Sequence, residues 1–182
     1  MSNAPKPINQ PLRMDRDKND AWIKAMLKRV PFGMVATEYN GQPFIKPTVF
    51  VYDEDAHAIY IHGALVGRMR TNIERNPRVS FSIAEMGRLL PADTAMGVGV
   101  EYASVVVFGN LAVLSSAIQA KKALQMLLDR FFPHLMPGVD YREILPEELD
   151  QTAVYRLKIE SWSGKEELAS ADFPGAFSYQ AP

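Results

Sequence analysis

Alternation of apolar and polar positions predicts six β-strands along this chain. In the segment 79–85, for example, Val79, Phe81 and Ile83 alternate with Ser80 and Ser82, as expected for a half-buried strand. Tight turns and breaks separate the segments that show this pattern. The predicted strands are Phe32–Thr37, Phe44–Tyr52, Ala58–His62, Val79–Glu85, Tyr102–Leu114 and Val154–Trp162.

Apolar residues at helical spacing predict three helices between these strands. They cover Asp17–Arg29, Arg68–Asn76, which stops before Pro77, and Ala117–Phe132. The buried stripe of the last helix is predicted to be core and comprises Ile118, Leu124, Leu127, Leu128 and Phe131. The small residues of Gly87–Gly99 predict a loop, and Pro133–Asp150 reads as irregular.

Strands joined mostly by hairpins, with short helices at the connections, predict a mainly β (α+β) fold. The expected architecture is a small six-stranded antiparallel β-barrel. We expect a mobile or wrapping arm over residues 1–16, a single domain over 17–168, and a polar tail over 169–182. Tyr102–Leu114 is apolar on both faces, and this surplus predicts a homodimer interface.

Composition narrows the classes of function. The 182 residues are 47% hydrophobic and 23% charged with a formal net charge of −1, which gives no pull toward nucleic acid or an acidic membrane. The absence of cysteine excludes thiol chemistry, and three scattered histidines argue against a metal site. No apolar run approaches a membrane span, so a cytoplasmic protein is expected.

The segment Ile59–Arg70 is the best candidate for binding chemistry. It predicts a strand, a loop of small residues and a helix whose first turn carries Arg68 and Arg70. Cations are unfavourable at a helix N-terminus unless an anion binds there, so the segment predicts a phosphate site. The alternative is that both arginines point into water. The spacing of Gly63 and Gly67 fits neither a Walker loop nor a dinucleotide fingerprint.

Four further residues have both a functional and a structural interpretation. Pro47 within a strand predicts an edge, a bulge or an irregular hydrogen-bond partner. An edge with free backbone groups could bind a planar heterocycle; the alternative is that Pro47 only blunts an edge and the Lys46 side chain extends to water. His62 at a strand end is either a proton donor, a ligand contact or a capped structural histidine. In the last strands, the Ser104 hydroxyl needs a partner, and Lys165 either reaches the anion or is solvated.

The chain resembles the pyridoxamine 5′-phosphate oxidase-related split-barrel proteins that bind flavin mononucleotide (FMN), and most closely the branch of nitroimidazole-resistance proteins. Five segments between Phe32 and Lys165 carry this resemblance. They are Lys46–Tyr52, the His-Gly-Ala-x-x-Gly-Arg core of Ile59–Arg70, Asn76–Val79, Tyr102–Gly109 and Ser163–Lys165.

The resemblance implies a split-barrel homodimer with FMN in the groove between the subunits. The implied cofactor-binding residues are Lys46, Pro47, Thr48, Val49, Phe50, Ile61, His62, Gly67, Arg68, Met69, Ser104 and Lys165. Lys46–Phe50 are expected along the flavin ring and ribityl chain, and Gly67–Met69 at the phosphate. Met69 departs from the lysine common at that position, so Arg70 or Lys165 is left to supply the missing charge.

The function implied is an FMN-dependent oxidoreductase that acts on a small planar molecule, with His62 as the catalytic candidate. A non-catalytic flavin- or haem-binding protein, with His62 as an axial ligand, is the alternative. Oxidation of pyridoxamine phosphate itself is disfavoured, because the chain after Trp162 has only Lys165 as a cation and no histidine. A structural domain without a cofactor is the fourth reading.

Overall fold

The computed structural model describes residues 7–180 of the chain. The strands are β1 Asp17–Lys18, β2 Phe32–Tyr39, β3 Gln42–Val49, β4 Val51–Asp53, β5 Ala58–Gly63, β6 Arg78–Leu90, β7 Gly99–Val113, β8 Ala153–Glu167 and β9 Phe177–Ser178. The helices are α1 Asp20–Arg29, α2 Arg68–Arg75, α3 Ala117–Phe131 and the single turn α4 Pro146–Leu149, preceded by a 3₁₀ turn at Met14–Arg16. The mainly β fold predicted from the sequence is confirmed.

The strands form one open antiparallel sheet in the order β3-β2-β6-β7-β8-β5-β4. Its two edge strands, β3 and β4, follow each other along the chain and are separated only by Phe50. Pro47 therefore lies on an edge strand, as its lack of an N–H predicts. Across the open side of the sheet, the Lys46 ammonium donates to the His62 carbonyl of β5 at 3.4 Å.

Several predicted boundaries were wrong. The segment predicted as one strand, Phe44–Tyr52, is divided at Phe50 into β3 and β4. The Gly87–Gly99 loop shrinks to residues 91–98, because β6 and β7 extend into it past an irregularity between Met86 and Leu89. Small residues in this segment reflect a bulged hairpin rather than a long loop, since a bulge absorbs an extra residue without ending the pairing.

The core lies inside the curved sheet and is closed at one end by α1. Along β7, Ala103, Val105 and Val107 are buried, whereas the intervening side chains are half-exposed on the outer face. Helix α1 starts three residues later than predicted, at Asp20, because Asn19 caps it by accepting a hydrogen bond from the Trp22 N–H at 3.0 Å. Its buried residues are Ile23, Met26 and Leu27.

Helix α3 packs on the outside of the sheet, beside β4 and β5. Its buried positions are Ala120, Ala123 and Leu127, and Ile118 is 84% exposed. The predicted stripe was therefore wrong at Ile118. Two small alanines and Leu127 are thus its buried residues, whereas Leu124, Leu128 and Phe131 of the predicted stripe are only partly buried.

Both ends of the described chain contact the sheet. Before β1, the Asn9 amide donates to the Trp162 carbonyl at 3.3 Å, and Arg16 pairs with Glu167 at 2.5 Å. After β8, the carbonyl of Ser170 accepts a hydrogen bond at 2.9 Å from Arg88 of β6. Arg88 also pairs with the buried Glu101 of β7 at 2.6 Å. Residues 1–6 of the predicted arm and 181–182 of the predicted tail lie outside the described residues. Within residues 7–180, no helix is long and apolar enough to cross a membrane.

Candidate functional site

The N-terminus of α2 has the geometry that the sequence predicts. Gly67 precedes the helix with φ of 138°, a backbone conformation that favours glycine. No side chain caps the first turn, so its N–H groups remain open to a ligand. The helix is fixed by its inner face, where the buried Asn72 amide donates to the Thr37 hydroxyl of β2 at 2.9 Å.

A cavity of about 280 Å³, here called the α2 cavity, lies directly in front of this helix end. It is lined by Phe44, Lys46, Ala64, Val66, Gly67, Arg68, Met69, Arg70 and Tyr155. The Tyr155 hydroxyl donates to the Ala64 carbonyl at 3.0 Å and so fixes the loop between β5 and α2. The cavity thus combines an uncapped helix N-terminus with three cationic side chains.

Two of these cations have no carboxylate partner among residues 7–180. Arg70 pairs with Glu74 at 2.5 Å, and this hydrogen bond raises the pKa of Arg70. Lys46 and Arg68 form no ion pair within the described part of the chain. Burial also lowers the pKa of Lys46. Unneutralised positive charge beside a helix N-terminus favours binding of an anion.

Glycine at position 63 leaves the space that the Lys46 side chain occupies. A Cβ atom there would lie 2.8 Å from Lys46 Nζ. The lysine therefore reaches the α2 cavity over a bare stretch of backbone. Lys46 and Arg70 therefore both place a positive charge at this cavity, whereas Lys165 does not line it.

A second cavity of about 450 Å³, here called the α3 groove, lies between α3, β5 and the segment around α4. It is lined by Val49, His62, Leu124, Leu127, Leu128, Phe131, Phe132, Ile144, Glu148 and Thr152. Its size falls in the range of small-molecule sites, which are mostly apolar with a few placed polar groups. The large residues of the α3 stripe therefore line a groove, and only Leu127 among them is fully buried.

His62 faces this groove and not the α2 cavity. The pKa of His62 is lowered below its usual value, mainly because partial burial disfavours the charged imidazolium and to a smaller extent because the Lys46 ammonium repels it. The two cavities are nevertheless adjacent, because the Lys46 ammonium contacts the carbonyl of His62. Along β3, the distance from Lys46 to Val49 at the groove is roughly 10 Å, given the rise per residue of a strand.

The remaining predicted residues of β3, β5 and α2 divide into accessible and buried ones. Pro47, Gly67 and Arg68 are exposed, and Val49 is half-buried. The side chains of Phe50, Ile61 and Met69 are part of the core, so a ligand contact there has to use the backbone. The Thr48 hydroxyl is buried and donates to the Val49 carbonyl at 2.9 Å.

Ser104 and Lys165 are not brought to either cavity of this chain. They are directly paired across β7 and β8 and lie half-buried on the outer face of the sheet. Neither residue lines the α2 cavity or the α3 groove. The Lys165 ammonium instead lies 5.6 Å from the centre of the Tyr102 ring.

Sequence reasoning missed Tyr155 and Phe44 at the α2 cavity, and it assigned the α3 residues to the core. Strand alternation places Tyr155 on the inner face of β8 but gives no sign that its hydroxyl reaches the β5–α2 loop. Among residues 7–180, no group of three or more histidine and carboxylate side chains is arranged to hold a metal ion.

An open antiparallel sheet with short helices, and with a helix N-terminus and a cavity beside one edge strand, is typical of a split-barrel protein. The family model Pyridox_ox_2, described as pyridoxamine 5′-phosphate oxidase, matches residues 19–166. The chain therefore belongs to this family, and the resemblance found in the sequence is confirmed. No curated protein sequence matches the chain significantly.

Three solved structures illustrate the similarity in fold. The flavocytochrome Anf3 from Azotobacter vinelandii has 22% identity and a TM-score of 0.75, with 95% of this chain and 85% of that chain covered. A FAD and haem binding protein from Mycobacterium smegmatis has 21% identity and a TM-score of 0.75, covering 92% and 87%. A candidate 5-nitroimidazole antibiotic resistance protein from Bacteroides thetaiotaomicron has 14% identity and a TM-score of 0.67, covering 82% and 84%.

Proposed function

We propose that this protein binds FMN, with the phosphate in the α2 cavity, and is an oxidoreductase acting on a small planar molecule. The observation that carries the proposal is the pair of unneutralised cations, Lys46 and Arg68, at an uncapped helix N-terminus. A phosphate group there receives backbone N–H groups, the positive end of the helix dipole and charge-assisted hydrogen bonds at once.

The rest of the cofactor is proposed to follow β3 toward the α3 groove. Because β3 is an edge strand, its outer backbone groups are free to hydrogen-bond a heterocycle. The strand runs from Lys46 at the α2 cavity to Val49 at the groove. When bound, the flavin supplies the electron chemistry, and the protein supplies orientation and exclusion of water.

We further propose a homodimer in which a second copy completes the site with its own Ser104 and Lys165. The two residues lie on the outer face of the sheet, away from both cavities of their own chain. That face carries the half-exposed Val106 and Phe108 beside Met34, which is 49% exposed. Apolar side chains clustered on an outer sheet face favour an interface between subunits.

His62 is the proposed proton donor to a substrate in the groove. His62 is an exposed residue at the end of the groove that it shares with Val49. Histidine can donate a proton when it is imidazolium, and the lowered pKa of His62 confines that form to the acidic side of its usual range. Turnover of pyridoxamine phosphate itself is not proposed, because no lysine or arginine lines the α3 groove to hold a second phosphate.

The test compares FMN with riboflavin, which lacks the phosphate, by fluorescence titration of the purified protein. Wild type is expected to prefer FMN. Arg68→Ala removes one charge-assisted contact worth about 1.5–3 kcal/mol and should weaken FMN binding by roughly tenfold to a hundredfold. Riboflavin binding should not change. Arg75→Ala, at the opposite end of the same helix, is the matched control. Equal affinity of wild type for both flavins contradicts the proposal.

A second candidate function is haem binding in the α3 groove, with His62 as an axial ligand. The groove favours it, because His62 lines the same cavity as several leucine and phenylalanine side chains. Two of the similar structures are a flavocytochrome and a FAD and haem binding protein. The absorption spectrum of the purified protein distinguishes the candidates: a haem Soret band that His62→Ala abolishes supports the second, and flavin bands alone support the first.

A further inference from the structure

We infer that Tyr155 of β8 is a positioning residue for the α2 cavity, because its hydroxyl holds the loop between β5 and α2 in the conformation that receives a phosphate. This inference rests on the proposed function, since it takes the α2 cavity as the phosphate site. It goes beyond that function by naming a buried side chain, outside the loop and the helix, on which the preference for a phosphorylated flavin depends.

The loop from Ala64 to Val66 has little structure of its own to hold it. Leu65 and Val66 are 45% and 82% exposed, so packing fixes neither side chain firmly. Within residues 7–180 and outside the strand and helix ladders, one hydrogen bond reaches this loop, and it runs from the Tyr155 hydroxyl to the Ala64 carbonyl at 3.0 Å. Since α2 begins directly after this loop, the course of the loop sets where the open N–H groups of the helix point.

The Tyr155 side chain, in contrast, is fixed by the core. It is 1% exposed and among the largest fully buried side chains of the described residues. Tyr155 pairs with Ile61 in the register of β5 and β8. A Cβ atom at position 63 would lie 3.6 Å from Tyr155 Cε2, so the ring packs against the bare backbone of Gly63. The hydroxyl therefore ties a weakly held loop to a rigid part of the sheet.

The Tyr155 hydroxyl stays protonated near neutrality and so remains a hydrogen-bond donor. Burial raises the pKa of Tyr155, and the positive charge of nearby Arg70 only partly opposes this rise. Arg70 is itself held on α2 by its ion pair with Glu74 at 2.5 Å. Contacts thus run from Arg70 of the helix through the Tyr155 hydroxyl to the carbonyl of Ala64.

A loop that is already held in its binding conformation lowers the entropic cost of binding. The phosphate of FMN is proposed to meet the end of this loop and the first turn of α2, whereas riboflavin has no phosphate to place there. Loss of the Tyr155 hydroxyl should therefore weaken the binding of FMN and leave that of riboflavin unchanged. A side chain that only stabilised the fold would not distinguish the two ligands.

Fluorescence titration of wild type and Tyr155→Phe with both flavins tests the inference. The variant loses one neutral hydrogen bond, so its FMN dissociation constant should rise by roughly threefold to tenfold. Tyr52→Phe is the matched control, because the Tyr52 hydroxyl is buried, has no hydrogen-bond partner among residues 7–180 and does not line the α2 cavity. It should bind both flavins as wild type does, and melting temperatures separate a folding defect from a change in selectivity.

Backbone order parameters of residues 65–67, measured by NMR without FMN, give a readout that does not depend on affinity. They should exceed about 0.8 in wild type and fall clearly in Tyr155→Phe. A loop that is already flexible in wild type overturns the inference.

The failures of the inference and of the proposed function are distinguishable. If wild type prefers FMN to riboflavin but Tyr155→Phe keeps the full preference, the inference fails while the proposed function stands. It also fails if Tyr155→Phe weakens both flavins equally, or if Tyr52→Phe loses as much FMN affinity. If wild type binds the two flavins equally, the proposed function fails, and the inference that depends on it falls too.

Discussion

Replacement of Lys46 by methionine should affect stability and cofactor binding in opposite directions. The Lys46 ammonium is partly buried, has no carboxylate partner among residues 7–180, and makes one long hydrogen bond of 3.4 Å to the His62 carbonyl. Loss of that bond costs at most about 1 kcal/mol. Removal of a desolvated charge offsets this cost, and methionine preserves most of the packing. The free energy of unfolding of the apoprotein should therefore stay within about 1 kcal/mol of wild type.

Binding of FMN should respond quite differently. The substitution removes one of two unneutralised cations at the α2 cavity, and a charge-assisted contact to phosphate is worth about 1.5–3 kcal/mol. The FMN dissociation constant should rise by roughly tenfold to a hundredfold. Riboflavin binding should be unchanged, and the salt dependence of FMN binding should become shallower because fewer charges meet the phosphate.

Urea denaturation of the apoprotein and fluorescence titration with both flavins measure the two effects. Lys122→Met, an exposed substitution on α3, is the control for a general change in net charge. An Lys46→Met variant that is clearly destabilised but binds FMN as wild type does would refute the argument. In that case Lys46 holds the two sides of the open sheet together and has no role at a phosphate.

Three further outcomes are expected. His62→Ala should retain its flavin but turn over a nitroaromatic about a hundredfold to ten-thousandfold more slowly. In wild type, the rate should fall as the pH rises through the lowered pKa of His62. Full turnover by the variant would exclude the imidazole as the proton donor. Sedimentation should report a dimer of about twice the 20.4 kDa chain, and Val106→Asp should convert it to monomer; a monomeric wild type with cofactor bound contradicts the shared site. The Arg88 hydrogen bond lowers the pKa of Glu101 to about 2, so the stability that this pair contributes is complete above about pH 4.5 and is lost as the pH falls toward 2. Because Glu101 also accepts from the Ala169 N–H, Glu101→Gln should speed proteolysis of residues 169–178. Equal cleavage rates would show that the pair does not anchor this segment.

The sequence alone predicted the approximate positions of the longer strands, the start of α2 and an edge or bulge at Pro47. These features depend on local physics: alternation has a period of two, a helix N-terminus disfavours cations, and proline lacks an N–H. The arginines Arg68 and Arg70 therefore pointed to the α2 cavity without any knowledge of the fold. The pattern did not show that the chain breaks at Phe50, since an apolar strand and an apolar corner look alike along a sequence.

The tertiary structure decided which of these residues meet. Periodicity shows which face of α3 is apolar, but only the approach of Ala120 and Ala123 to the sheet turns Leu124 and Leu128 toward a groove. The pairing register of β7 and β8 places Ser104 beside Lys165 on the outer face of the sheet, although the two residues are far apart along the chain. Neither residue lines the cavity that Lys46 lines. Lys46 itself lies at the α2 cavity, where glycine at position 63 of another strand leaves room for its ammonium. Such neighbours depend on strand order and helix placement, which follow from the packing of the whole chain and not from any one segment.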